Sequence, residues 1–365
     1  MKITKEQLYL RQTTLNEIGE NGQQKLQDAE ILIVGCGGLG SVAAVYLAAS
    51  GVGNIHLVDF DVVNVSNLHR QVFYKTEDIG KSKAEVLTNY IRSISPFVNV
   101  TYTKQAINKS NAIDIIDDFA IVVDCTDSLP TKYLLNDVCV ITDTILIYGS
   151  LYKHDGYVAT FNMTKDSKRT ANLRDAFPEM TSQQIPNCSE IGTLNTIVGI
   201  IGMMQANEVI KIITHTGEPL MNQILIYNSL ENSQFKMKLS SEPCYKKSER
   251  GCILKSFKHN NYDDPNCEIK EEDFMLSAKE FRQKIENEDL IIISLIEDLN
   301  ITLPFHVNLK IPFSEFKVDD LKIDTDKVYT FVCKKGILSY AATLNLKEKY
   351  PDLNVYSLNY GIENY

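Results

Sequence analysis

The chain has 365 residues, with 37 Lys and Arg against 47 Asp and Glu and a net charge of −10. That balance, with no basic block and no basic–aromatic interleaving, excludes nucleic acid as a partner. No apolar run reaches membrane-spanning length and MKITKEQLYLRQ is no signal peptide, so no membrane partner is expected. Eight cysteines without framework spacing point to reduced thiols in a cytoplasm, and the length suits two or three domains.

In chain order, a helical pattern covers Lys5 to Leu26. An apolar, β-branched run, Ile31 to Val34, then ends in the loop GCGGLG, and Leu39 to Ala49 is helical again. Gly35 permits a tight turn. Gly37 lets the backbone approach a phosphate, and Gly40 lets the helix pack closely on the strand. With Gly38, they form a candidate anion cradle at a helix N-terminus. A second strand, Ile55 to Val58, ends in DFD. Asp59 follows Gly40 by 19 residues, near the distance usual for a carboxylate that binds ribose, with Asp61 beside it. Dehydrogenases, methyltransferases and adenylating enzymes share this fingerprint, so it does not choose between them.

The next segment narrows the choice. Asn67 and Arg70 in NLHRQ and Lys83 in GKSKA follow the ribose carboxylate closely. Two cations and an amide suit a triphosphate better than a pyrophosphate. The helix Lys81 to Ser93 and the strand Val98 to Thr103 precede AIVVDCTDS, a strand (Ala120 to Val123) ending in Asp124 and Asp127, a sensible place for magnesium. A strand at Thr144 to Ile147 completes an alternation that implies a largely parallel sheet with both faces covered. From Gly156 the pattern turns to hairpins, GYVATFNM and QILIYNSLENSQFKMKL. The apolar stretch Ile191 to Ile213 reads as a buried helix, with Gly199 and Gly202 marking close packing; Asn195, Gln205, Asn207 and Glu208 argue against a membrane span. Lys165 to Asn187 reads as a long loop over the active site.

These motifs, from YLRQTTLNEIGENGQQKL through GCGGLG, DFD, NLHRQ, GKSKA and DCTDS to NCSEIGTLNTIVGIIGMMQANEVIK, resemble the MoeB/ThiF family over roughly the first 240 residues. The resemblance implies a Rossmann-like sheet with an antiparallel extension. It also implies ATP- and magnesium-dependent adenylation of the C-terminal glycine of a small ubiquitin-like sulfur carrier ending in Gly-Gly. Asp59 would hold the ribose, Arg70 and Lys83 the phosphates, and Asp127 the magnesium. Arg11 resembles the arginine that crosses a homodimer into the partner's ATP site. Cys188, in a C-x-E-x-G pattern with Glu190 and Gly192, stands where the family places its reactive thiol. The attacking carboxylate is already ionised, so no general base is needed and the six histidines, which form no ligand spacing, leave no gap. His56 reads as packing and His69 as a neighbour of Arg70. The family often carries two CxxC pairs for zinc. Here they fall near Arg169 and Asn172, and near Cys244 and Lys247, so zinc is not expected.

Residues 1–240 thus read as an adenylation domain and 241–273 as a charged, Asn- and Pro-rich linker. Residues 274–365 form a small α/β domain: a helix (Ser277 to Glu288), strands at Leu290 to Ser294, Val328 to Val332 and Val355 to Leu358, and a helix (Tyr340 to Lys349). Its CKKGILS loop, between strand and helix, would point backbone N–H groups at Cys333. With the terminal SLNYGIENY it resembles a degenerate rhodanese domain. Leu338 replaces a loop arginine, and Ser294 and Ile296 replace an aspartate and an arginine. The resemblance implies sulfur carried on Cys333 from a donor such as a cysteine desulfurase, for a thiamine-, molybdopterin- or tRNA-thiolation-type pathway. Two other readings stay open: an NAD-dependent oxidoreductase, and an adenylating scaffold whose second domain only binds partners.

Overall fold

The computed structural model describes residues 3–165, 168–177, 192–239, 250–260, 262, 274–285, 290–325, 327–334, 336–351, 353–359 and 361–365. The chain divides into two compact units, Met1–Asp263 and Asp264–Tyr365.

The first unit is built on an eight-stranded sheet. β1 (Glu30–Val34), β2 (Asn54–Val58), β3 (Asn99–Thr103), β4 (Ile121–Asp124) and β5 (Ile145–Tyr152) run parallel in the order β5-β4-β1-β2-β3. The antiparallel strands β6 (Asp155–Phe161), β9 (Gln223–Asn228) and β10 (Ser233–Lys238) extend it beyond β5. Ile31 to Val34 are all buried, as their unbroken apolar run requires of a central parallel strand covered on both faces. α3 (Gly38–Ala49) packs against α8 (Asn195–Thr214). A Cβ on Gly202 would lie 2.7 Å from the Leu39 carbonyl, so that glycine lets the helices meet; Gly199 has open space. By length and composition α8 could cross a bilayer. Here Gln205 and Glu208 tie it to the sheet: the Gln205 amide donates to the carbonyls of Asp124 (2.7 Å) and Ile147 (3.3 Å), and Glu208 accepts from the Thr160 hydroxyl (2.8 Å) and the Leu220 N–H (2.7 Å).

Three expectations change. The N-terminal helix is two: α1 (Lys5–Thr13), opened by a Thr4–Gln7 capping box, and α2 (Gly19–Asp28), with a break where Gly19 takes φ +56°. The expected long loop carries order. β7 (Thr164–Lys165) and β8 (Lys168–Arg169) form a hairpin, and Asn172 caps the short α7 (Leu173–Ala176) with Asp175; 178–187 lie outside the described residues. Within the expected linker, α9 (Arg250–Phe257) packs on α6 (Leu129–Thr142), and the Tyr262 hydroxyl donates to Asp137 at 2.5 Å. Charge and Asn content disguised this stretch, because the contacts that order it come from α6 and α7. The remaining helices of this unit are α4 (Lys83–Ile94) and α5 (Ala112–Ile116).

The second unit is a five-stranded parallel sheet, in the order β11 (Met275–Leu276), β15 (Val355–Leu358), β14 (Val328–Val332), β12 (Leu290–Ser294) and β13 (Leu309–Lys310). It carries α10 (Ala278–Ile285) and α11 (Ile337–Lys349).

Candidate active sites

The glycine loop joins β1 to α3. Gly35 has φ +93°, and a Cβ there would lie 2.7 Å from the Cys125 carbonyl. A Cβ on Gly40 would overlap the Gly35 carbonyl, so this glycine sets the helix against the turn. A Cβ on Gly38 would strike Val198 of α8, while over Gly37 only the Gln71 amide stands near, at 3.5 Å. Two side chains fix the loop's path. The Cys36 N–H donates to Asp59 Oδ2 (2.5 Å), and the Tyr74 hydroxyl donates to the Cys36 carbonyl (2.6 Å). Asp59 Oδ1 also accepts from the Asp61 N–H (2.7 Å). Burial raises the Asp59 pKa, with Lys83 opposing and Asp61 assisting.

Asp59 and Asp61 follow β2, and Lys83 opens α4. Lys83 Nζ donates to Asp61 Oδ2 at 2.6 Å; the lysine is buried, whereas the Asp61 side chain is half exposed. Burial pulls the Lys83 pKa down, but Asp61, Asp59 and Asp127 outweigh it and the ammonium is held above its ordinary value. The structure thus brings Asp59, Asp61, Lys83 and Asp127 into one field around the C-terminal ends of β2 and β4. Arg70 donates to the Ser66 carbonyl (2.7 Å) and contacts His69 (3.0 Å). The Asn67 side-chain Oδ1 accepts from the Asn64 N–H (3.1 Å) and closes the turn that carries Arg70.

Asp124 does not share the role open to Asp127. It is fully buried, receives Lys132 Nζ at 3.1 Å, and bonds the Thr126 N–H and hydroxyl. Lys132 also donates to the Gly149 carbonyl (2.6 Å). Asp127 is exposed. A further buried cluster joins α6, α7 and the segment beyond α9. Arg174 donates through Nε and Nη2 to Asp137 (2.7 and 2.6 Å) and lies over the Tyr133 ring. Neither Lys132 nor Arg174 stood out in the sequence, since each matters through a partner distant in chain order. Arg169 pairs with Asp143 where a zinc ligand was sought. His56 lies between the hydroxyls of Thr101 (2.8 Å) and Thr103 (3.0 Å) as a packing side chain.

Arg11 is exposed on α1. Its neighbour Gln12 donates to the Ser50 carbonyl (2.9 Å), at the C-terminal end of α3. The glycine loop lies at the other end of that helix, 12 residues or about 18 Å away. Cys188 and Glu190 lie outside the described residues; Gly192 has φ +81°.

In the second unit, Cys333 follows β14 and is buried. Its sulfur accepts from the N–H groups of Gly336 (3.1 Å) and Ser339 (3.4 Å), and the Ser339 hydroxyl stands 3.3 Å away. Ser357 donates to the Ser339 hydroxyl at 2.9 Å. A Cβ on Gly361 (φ +64°) would lie 2.4 Å from the Cys333 carbonyl, so the terminal motif sits against the loop. Leu338 packs on the apolar core and Ile296 is buried, so where cations were sought the unit places hydrocarbon.

Comparison with known proteins fits this geometry. The chain is 37% identical over 247 residues to the sulfur carrier protein adenylyltransferase of Thermus thermophilus, covering 67% of this chain and 91% of that one. It is 30% identical over 385 aligned residues to the adenylyltransferase and sulfurtransferase MOCS3 of Drosophila persimilis, covering 99% of this chain and 84% of that one. In fold it is similar to E. coli MccB crystallised with MccA-N7isoASN, with a TM-score of 0.58 at 23% identity over 67% of this chain and 75% of that one. The ThiF family model matches residues 9–248, and the chain belongs to the ThiF family.

Proposed function

We propose that this chain uses ATP to adenylate the C-terminal glycine carboxylate of a small, Gly-Gly-ending ubiquitin-like sulfur carrier, and then converts it to a thiocarboxylate. One observation carries the first step: the glycine cradle, the ribose-type Asp59 and the buried Lys83 converge at the C-terminal ends of β1 and β2. A carboxylate oxygen attacks the α-phosphorus, the bond to pyrophosphate breaks, and its electron pair leaves with the pyrophosphate. Lys83 and Arg70 stabilise the charge that grows there. No proton has to be removed from the nucleophile.

Magnesium fits the charges present. Asp59, Asp61 and Asp127 all act on Lys83, and even with Arg70 counted the carboxylates outnumber the cations where a polyphosphate must enter. A divalent ion held by Asp127 and the phosphate oxygens would neutralise this excess and draw charge from the leaving group. Asp124 is committed to Lys132 and takes no part.

The placement of Arg11 supports a homodimer as part of this reading. The length of α3 keeps it from its own glycine loop, so an Arg11 that serves an ATP site serves that of a second copy. Leu8, Leu10 and Leu15, exposed around it, are suitable material for such an interface.

For sulfur transfer, Cys333 carries a persulfide whose outer sulfur attacks the acyl carbon of the adenylate and expels AMP. The Cys188 thiolate then attacks the inner sulfur of the Cys333 acyl persulfide: the S–S bond breaks, its electron pair leaves with the thiocarboxylate, and the Cys188–Cys333 disulfide that forms is returned to two thiols by a dithiol reductant. The N–H groups of Gly336 and Ser339 support negative charge on sulfur. A cysteine desulfurase is a suitable donor, and a reducing cytoplasm keeps the thiols free. The hydrocarbon of the partly buried Leu338 and the buried Ile296 favours one rival, a second unit that only recruits partners. Carrier-dependent exchange of labelled pyrophosphate into ATP tests the adenylation step. Sulfur transfer surviving loss of Cys333 would favour the rival.

A further inference from the structure

Gln71 follows Arg70 and has no part in the reading above. Its side chain is buried, 4% exposed, yet its Oε1 has no hydrogen-bond partner among the described residues. A buried, unbonded amide oxygen carries a desolvation cost of about 1–3 kcal/mol, and folded chains rarely leave one without a reason. Its position supplies the reason. Nε2 lies 3.5 Å from where a Cβ on Gly37 would stand, so the carboxamide covers the second glycine of the cradle. That glycine is where the backbone comes closest to a bound phosphate.

The chemistry of the orphan atom narrows the ligand. An amide oxygen only accepts, and so do phosphate oxygens at neutral pH. A polyphosphate alone therefore leaves Oε1 unsatisfied. A nucleotide carries both partners that a carboxamide needs: a ribose hydroxyl to donate and an α-phosphoryl oxygen to accept. We propose that Gln71 grips the nucleotide at the junction of ribose and α-phosphate, Oε1 accepting from a ribose hydroxyl and Nε2 donating to the α-phosphoryl group. Gln71 then holds the phosphorus under attack, whereas Arg70 and Lys83 hold the departing end. The inference rests on the adenylation reading and adds a nucleotide contact to it.

The test is Gln71→Met in the full chain, a substitution of similar length without polar atoms. Affinity for ATP, AMP and inorganic tripolyphosphate is measured by calorimetry, and the thermal midpoint is followed without ligand. Because Oε1 has no hydrogen-bond partner among the described residues, the unliganded midpoint should stay within a degree or two of the wild type or rise. Affinity for AMP and ATP should fall about tenfold, as two lost hydrogen bonds predict, with a smaller change for tripolyphosphate. Wild-type affinity for AMP and ATP in the variant would overturn the assignment. So would a fall in the unliganded midpoint that accompanies weaker binding, since a packing role explains both. Failure of the wild type itself to bind ATP would instead bring down the adenylation reading, and the assignment with it.

Discussion

Lys83 Nζ lies 2.6 Å from Asp61 Oδ2, so the cation assigned to the phosphates is already paired with a carboxylate two residues beyond Asp59. The pair sets Lys83 in place from the start of α4, and the nucleotide has to share or displace Asp61. Lys83→Met should lower carrier-dependent pyrophosphate exchange about 10²–10³-fold, the usual cost of removing one group that stabilises transition-state charge. Isotope exchange under saturating ATP checks it. Exchange within twofold of the wild type would remove Lys83 from the reaction.

The position of Arg11 gives a prediction with a defined yield. Arg11→Ala and Lys83→Met should each be nearly inactive in exchange. Unfolded and refolded together in equal amounts, they should recover about a quarter of wild-type activity, because half the dimers are mixed and each mixed dimer has one intact site. If no activity returns, Arg11 does not act across an interface.

Asp59 gives a pH dependence whose sign is fixed. Burial raises its pKa above the ordinary value of 3.8. On acidification the folded chain therefore takes up this proton before the unfolded chain does. The resulting stabilisation is present below the ordinary pKa and is lost as the pH rises through the raised folded value. ATP affinity moves the other way, because a protonated Asp59 binds a ribose hydroxyl less well. Titrating ATP affinity against pH should show a fall at a pH above 3.8 in the wild type, and a weak, flat profile in Asp59→Asn. Identical profiles would separate Asp59 from the nucleotide.

The cluster of Asp137, Arg174 and Tyr262 should hold the end of the first unit. Arg174→Met strands a buried carboxylate and should cost about 3–5 kcal/mol in denaturant unfolding. Tyr262→Phe removes one hydrogen bond to a charged group and should cost about 1.5–3 kcal/mol. Costs below 1 kcal/mol for both would show that the segment after α9 is held by packing alone.

How much was legible in the sequence depended on how local the signal was. The β1–loop–α3–β2 unit, its glycines and the position of Asp59 were readable because turn, helix packing and the carboxylate at the end of β2 lie within 30 residues of one another. The strands of the second unit were readable from their β-branched runs. What stayed hidden depends on contacts between distant positions. Lys132 is a helix lysine until the fold brings it to Asp124, and Tyr262 is one aromatic in a polar tract until it meets Asp137. Gln71 was visible only as part of NLHRQ; its burial and its unbonded oxygen are properties of the fold.

The central claim is that ATP activates a carrier's terminal carboxylate. The most direct measurement is the intact mass of a Gly-Gly-ending carrier after incubation with this protein, ATP, magnesium and a sulfur donor. With Cys333→Ala, the account predicts a carrier that gains one adenylyl group and no sulfur. With the wild type, it predicts a carrier in which sulfur replaces one carboxylate oxygen. A carrier of unchanged mass in both incubations, with no pyrophosphate released, would contradict it.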